Sequence, residues 1–278
     1  MRSASVVAST ALLLLVAGCS RSESEPERTT NQVAYPRHVH GLAVDPSTGD
    51  LQVATHAGLF RVPAQGLATR VSAAAQDFMG FAVATPDRLL ASGHPDLSQT
   101  LPPHLGLLES RDGGRSWSPV SLLGKADFHV LEPIGSRIYG YDGLAGRIRV
   151  SDDGTTWRDG AAGSVTDLLA DPSDPAALLV ATPQGLGRSQ DAGMSVQPVE
   201  GPAVVLLARA DGVVAGIDAQ GNVYQQDQAG WSLVSRLPGT PTAFAGAPGA
   251  GLYVALQGGA LLASADQGRS WAPFGSIT

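Results

Sequence analysis

Short runs of apolar residues, each bounded by turn residues, follow one another from about residue 37 onward. The segments HVHGLAVD (38–45) and DFMGFAVA (77–84) are typical of these runs, which are four to eight residues long. Runs of this length that end at Gly, Pro or Asp predict β-strands, and no helical period interrupts them. The pattern therefore predicts an all-β fold.

A short polar motif recurs between these predicted strands. SRDGGRSW (110–117), SQDAGMSV (189–196) and SADQGRSW (264–271) share the form Ser-x-Asp-x-Gly-x-Ser; SDDGTTW (151–157) is one residue shorter, and QQDQAGWS (225–232) is degenerate. Their aspartates are separated by 41, 38, 36 and 39 residues and are Asp112, Asp153, Asp191, Asp227 and Asp266. This period matches a four-stranded propeller blade and predicts a single β-propeller of six blades, or seven if residues 29–37 add a strand.

The motif resembles the Asp-box, or BNR repeat, of bacterial sialidases and many other propellers. Its residues suit a hairpin turn, because a carboxylate accepts backbone N–H groups, Gly tolerates positive φ and Trp anchors the returning strand. We therefore expect a structural role for the five aspartates, with calcium binding or catalysis as the alternative.

The first 36 residues differ from the rest of the chain. Residues 1–18 combine Arg2 with an apolar run that is too short to span a bilayer, which predicts an export signal. VAGC (16–19) resembles the lipobox of bacterial lipoproteins, and this resemblance implies cleavage before Cys19 and lipidation of its thiol. Residues 19–36 then form a polar tether, residues 37–278 form the propeller, and the protein is extracytoplasmic and lipid-anchored to the bacterial cell membrane.

Composition narrows the range of functions. The formal net charge is −7 and there is no basic run, which argues against nucleic acid as a partner. Cys19 is the only cysteine, so the mature domain contains no disulfide and no thiol chemistry beyond the lipid anchor.

All six histidines lie between residues 38 and 129. Each blade's first strand should line the central channel, and the second strand should end at the face where the first begins. Aligned this way, blades 1–3 place a group of metal or ligand-binding candidates at one channel mouth: His38, His40, His56, Met79, His94, Asp96, His104, His129 and Asp142, together with Asp77 and Asp127. We expect His40, Met79 and His129 to lie close enough to share a ligand.

Three functions remain open for this mouth. Imidazole, carboxylate and thioether donors predict a transition metal such as Cu or Zn, or a small polar ligand. Asp77 and Asp127 could instead be the acid and base of an enzyme. The same side chains could also be a structural polar lining.

Stretches such as HVHGLAVD, THAGLF and SGHPD resemble a group of bacterial lipoproteins labelled glycosyl hydrolases. That resemblance implies a glycoside hydrolase acting on a glycan. The arginine triad and the Tyr–Glu pair of a sialidase are missing here, and only Arg37 lies near the predicted mouth. Related Asp-box propellers act in assembly or sorting without catalysis, so a protein-binding role is a further alternative.

Overall fold

The computed structural model describes residues 38–275 and Met1, and the described residues form six four-stranded antiparallel sheets. Blade 1 contains β1 (Val39–Val44), β2 (Leu51–Thr55), β3 (Gly58–Val62) and β4 (Thr69–Arg70). Blade 2 contains β5 (Asp77–Thr85), β6 (Arg88–His94), β7 (Leu107–Ser110) and β8 (Ser118–Ser121). Blade 3 contains β9 (Phe128–Ile134), β10 (Arg137–Asp142), β11 (Arg147–Ser151) and β12 (Arg158–Ala162).

The second half of the ring repeats this plan. Blade 4 contains β13 (Asp167–Asp171), β14 (Asp174–Thr182), β15 (Gly185–Ser189) and β16 (Gln197–Pro198). Blade 5 contains β17 (Val204–Ala210), β18 (Val213–Asp218), β19 (Asn222–Asp227) and β20 (Gly230–Arg236). Blade 6 contains β21 (Pro241–Ala247), β22 (Gly251–Leu256), β23 (Leu261–Ser264) and β24 (Ala272–Pro273). No helix occurs between residues 38 and 275, and therefore none there is long and apolar enough to cross a membrane.

The blades close into a ring. Each first strand contacts the first strands of both neighbouring blades, and β21 contacts β1. Six apolar clusters fill the gaps between consecutive blades, including one that packs Leu51 and Phe60 of blade 1 against Tyr253 of blade 6. The all-β, six-bladed prediction is confirmed. Residues 29–37, on which the seven-bladed alternative depended, lie outside the described residues, as do the predicted signal, Cys19, the tether and Arg37.

All five recurring aspartates stabilise turns between third and fourth strands. In blade 2 the Asp112 carboxylate accepts the backbone N–H of Ser116 at 3.0 Å, and the Ser110 hydroxyl accepts the buried N–H of Gly114 at 2.8 Å. Asp153, Asp191 and Asp266 accept equivalent bonds. Asp227 instead caps a tight hairpin between β19 and β20, where it accepts the N–H of Ala229. Strand direction alternates along each blade, so these turns lie at the face opposite the start of the first strands.

A one-residue β-bulge occurs near the start of the first strand in five of the six blades. The pairing skips His40 in blade 1, Met79 in blade 2 and His129 in blade 3, and it skips equivalent residues in blades 5 and 6. A bulge re-aims the side chain of the extra residue relative to a regular pleat. All three named side chains line the central channel.

Candidate metal and ligand site at the channel mouth

Blades 1–3 bring five histidines and two aspartates into one network at the channel mouth. First-strand starts supply His40, Asp77 and His129, and Asp127 immediately precedes β9. The ends of second strands and the loops after them supply His56, His94 and His104. The network forms because adjacent antiparallel strands place the start of one beside the end of the other.

The first part of the network joins blades 1 and 2. His40 Nε2 lies 3.0 Å from Nε2 of His56, and His56 Nδ1 lies 2.7 Å from Oδ1 of Asp77. The His40 and His56 rings meet edge to face with their centroids 4.2 Å apart. His38 is exposed and reaches this group only through its ring, 5.5 Å from that of His56.

The second part of the network centres on one buried carboxylate. Oδ2 of Asp127 lies 3.2 Å from Nε2 of His129, 3.4 Å from Nε2 of His94 and 3.6 Å from Nδ1 of His104. The other ring nitrogen of His94, Nδ1, lies 3.5 Å from Oδ2 of Asp77. His94 therefore links the two halves of the network.

Backbone and side-chain contacts hold Asp127 in place. Asp142 is fully buried, and its Oδ1 accepts the N–H groups of Asp127 and Leu144 while its Oδ2 accepts Nε of Arg149. Gly143 follows directly, and a Cβ at that position would lie 3.0 Å from Nε2 of His129. A glycine there lets the imidazole lie against the backbone.

Five of the predicted site residues lie outside the two ligand groups described below: His38, Met79, Asp96, His129 and Asp142. Both oxygens of Asp142 are occupied as described, and Asp96 accepts the backbone N–H groups of Ala75 and Ser98. These two carboxylates anchor loops, so we leave them out of the proposed ligand set. Met79 lines the channel beside His40 and His129. His40 pairs with His56 and His129 with Asp127, and a ligand shared by His40, Met79 and His129 stays a prediction.

Electrostatics separate the histidines at the two ends of the network. Burial and the nearby His56 lower the pKa of His40 to about 4, so its imidazole stays neutral near pH 7. The hydrogen bond to Asp127 raises the pKa of His129 above its ordinary value. Burial would raise the pKa of Asp127, but the hydrogen bond from His129 and the charges of the three surrounding histidines outweigh burial and lower it.

Two sets of potential metal ligands result from this arrangement. The first contains His40, His56 and Asp77, and the second contains His94, His104 and Asp127; within each set the donor atoms lie within 4.8 Å of one another. Two imidazoles and a carboxylate form a common ligand set for zinc and for non-haem iron. Oδ1 of Asp127 and Nδ1 of His104 are buried and make no hydrogen bond within the described part of the chain.

Behind the mouth, a cavity of about 880 Å³ runs between the first strands of all six blades. Its lining includes Glu132, Asp167 and Arg209, none of which was predicted from the sequence to be a site residue. Arg209 could have been noticed, because it is an isolated cation in the otherwise apolar predicted strand AVVLLARA.

No protein-family model matches the chain, and no curated protein does. Among solved structures, the chain is similar to the GH74 xyloglucanase of Xanthomonas campestris, with a TM-score of 0.54, 20% identity and coverage of 85% of this chain and 45% of that one. It is also similar to the GH74 enzyme of Niastella koreensis, with a TM-score of 0.61, 15% identity and coverage of 85% and 45%.

A chain in a nidogen/laminin complex gives a TM-score of 0.62 at 15% identity, with coverage of 82% of this chain and 93% of that one. The present chain spans about half the length of the GH74 enzymes. Identities this low show a shared fold alone. The comparisons thus place the chain among the β-propellers, with glycoside hydrolases of family GH74 among its structural neighbours.

Proposed function

We propose that this propeller binds a divalent transition metal ion, zinc or copper, at the mouth formed by blades 1–3. The observation that carries the proposal is the convergence of His94, His104 and His129 on one oxygen of the buried Asp127. Ring nitrogens gathered within 3.2–3.6 Å of a carboxylate oxygen are nearly at the spacing of ligands around one ion.

The unsatisfied polar atoms support the same proposal. A buried acceptor without a partner costs free energy, so Oδ1 of Asp127 favours a ligand that supplies positive charge. Asp142 fixes the backbone of Asp127 in the second ligand group, and Gly143 leaves room for His129, which contacts the Asp127 carboxylate. Met79, at the rim of the same channel, adds a thioether that would favour copper.

Metal titration of single-histidine variants tests the proposal. Zn²⁺ and Cu²⁺ are titrated separately, by calorimetry, into the metal-free protein at pH 7.5. We expect His56→Ala and His104→Ala each to weaken binding by about tenfold or more, since each removes a ligand from one group. His38→Ala is the matched control, because this histidine belongs to neither group, and its affinity should equal that of the unmodified protein.

The pH dependence of binding provides a further check. Neutral imidazoles are the ligands, so affinity should fall as the pH drops through about 6. Binding weaker than about 100 μM for both metals, or equal affinity in all the variants, would contradict the proposal.

Glycoside hydrolysis is the second candidate. It is favoured by the position of Asp77 and Asp127 on either side of His94 at the mouth, and by the GH74 enzymes among the structural neighbours. In that case Asp77→Asn and Asp127→Asn should abolish turnover of chromogenic glycosides, since each change removes an acid or base. Turnover that persists in both variants would eliminate this candidate.

We infer from the predicted lipid anchor at Cys19 that the proposed site lies outside the cytoplasm. An anchored propeller would present the mouth outside the cytoplasm, where it could contact metal ions, glycans or a protein partner. Radiolabelled palmitate incorporated into the unmodified protein, but not into Cys19→Ser, would support the anchor. Equal labelling of both proteins would contradict it.

A further inference from the structure

The channel interior is chemically different from the mouth. Apolar side chains such as Val83, Leu206 and Phe244 form much of its lining. Its volume, about 880 Å³, lies in the range of small-molecule sites, which are typically apolar with a few polar groups that orient the ligand.

Arg209 is the one Arg or Lys among the described residues that line this channel. Its only hydrogen bond in the described part of the chain is a long one, 3.5 Å from Nη2 to the carbonyl oxygen of Ala170. Its Nε is buried and has no partner there, and no carboxylate oxygen of residues 38–275 lies within 4.0 Å of the guanidinium group. A partly buried cation without an anionic partner is unfavourable unless a ligand supplies one.

The three carboxyl groups in the channel lining are already engaged as acceptors, and Asp45 accepts the N–H and the hydroxyl of Ser47 at 2.9 and 2.6 Å. Glu132 accepts the backbone N–H of Ala170 at 2.9 Å, and Asp167 accepts those of Leu168 and Leu207 at 2.9 and 2.8 Å. Two of these bonds join first strands of neighbouring blades, so Glu132 and Asp167 both help to hold adjacent blades together. Among the buried side-chain atoms that line the channel, Nε of Arg209 and the hydroxyl oxygen of Thr166 have no partner in the described part of the chain, and Arg209 is the cation of the two.

Charge balance strengthens this conclusion. Burial raises the pKa of Glu132 to about 8 and that of Asp167 to about 7. Near neutral pH these two carboxyl groups are thus largely protonated or half-protonated, and they offset little of the positive charge of Arg209. Asp171, whose pKa is lowered by hydrogen bonds from Ser173 and also by the charge of Arg209, supplies a negative charge more than 4.0 Å from the guanidinium group.

We propose that the central channel binds an organic monocarboxylate with a compact apolar body. The carboxylate pairs with the guanidinium group of Arg209, and the apolar body lies along the first strands. A single guanidinium matches a single negative charge, and apolar walls disfavour a strongly hydrated dianion such as phosphate. His40 and His129 line the same channel as Arg209, but the proposed carboxylate contact uses neither side chain, so it can be tested without metal.

Calorimetry with hexanoate, hexanol and hexylamine tests the proposal. EDTA is present throughout, so that metal at the mouth does not affect the result. Hexanoate should bind the unmodified protein with a Kd below about 1 mM, and Arg209→Met should weaken this binding by about tenfold or more. Arg188→Met is the matched control, because Arg188 is an exposed arginine on β15 and should leave the affinity unchanged.

A comparison of the three ligands on the unmodified protein tests the proposal without any variant. If Arg209→Met fails to fold, as judged by circular dichroism, the unmodified protein should still prefer hexanoate to hexanol and hexylamine. Binding of hexanoate no tighter than hexanol, tightest binding of hexylamine, or undiminished hexanoate binding by a folded Arg209→Met would overturn the proposal.

Discussion

At the scale of single residues, Asp127 determines the protonation of its neighbours. Its hydrogen bond with His129, 3.2 Å long, is the largest cause of the raised pKa of that imidazole. Because the folded-state pKa of His129 is raised, its pairing stabilises the protein below pH 6.5, the ordinary histidine value, and this contribution is lost as the pH rises through the folded-state pKa. Because the folded-state pKa of Asp127 is lowered, its carboxylate stabilises the protein above about pH 4, the ordinary aspartate value. This contribution is lost as the pH falls through the folded-state pKa.

Asp127→Asn should lower the pKa of His129 in the metal-free protein. The asparagine removes the negative charge, and the remaining burial favours the neutral imidazole. The measurement is an NMR titration of the histidine ring protons, with Asp96→Asn as the control because Asp96 contacts no histidine in the described network.

The stability difference between the unmodified protein and Asp127→Asn provides the second readout. It should be larger at pH 5.5 than at pH 9, since the charged pair exists only below the pKa of His129. A His129 pKa that is unchanged in Asp127→Asn would show that this carboxylate does not control the imidazole.

At the scale of strands, the six blades and their turns could be predicted from the sequence, whereas the ligand groups could not. The Ser-x-Asp-x-Gly-x-Ser motif repeats at a nearly constant spacing and acts locally, so its hydrogen bonds follow from the motif. The bulges at His40, Met79 and His129 break the two-residue alternation from which side-chain direction was inferred. Contacts such as that between His40 and His56 depend on this altered register.

Ser110→Ala should lower the free energy of unfolding by about 1–3 kcal/mol, because the buried N–H of Gly114 loses its acceptor. Ser118→Ala is the control, since Ser118 is exposed on β8. Urea denaturation measures both variants. Metal affinity should be unchanged in both, because the turn lies at the face opposite the mouth. A loss of affinity at unchanged stability would contradict a purely structural role for the recurring motif.

At the scale of the whole molecule, the ring closes through side-chain packing between blades 6 and 1. Each blade's four strands are consecutive in sequence, so no strand is shared across the closure. The six-bladed count followed from the repeat period and is confirmed. Glu132 and Arg209 in the channel were not selected from the sequence: the lone cation in the strand AVVLLARA was visible there, but the space that six strands enclose was not.

Leu51→Ala tests the closure between blades 6 and 1. Leu51 is fully buried in the cluster that joins these blades, so its truncation should cost about 2–5 kcal/mol. Leu233→Ala is the control, since Leu233 is 61% exposed and should change stability little. Equal midpoints of urea denaturation for the two variants would contradict the importance of this interface.

Anomalous X-ray scattering from crystals grown with zinc or copper tests the central claim most directly. Data collected on both sides of the metal absorption edge locate the ion without reference to activity. We predict a peak bounded by His94, His104 and Asp127, or by His40, His56 and Asp77, with metal–nitrogen distances of about 2.0–2.1 Å. A crystal that contains the metal but shows no anomalous peak at the mouth, or shows its peak at the turns that contain the recurring aspartates, would contradict the claim.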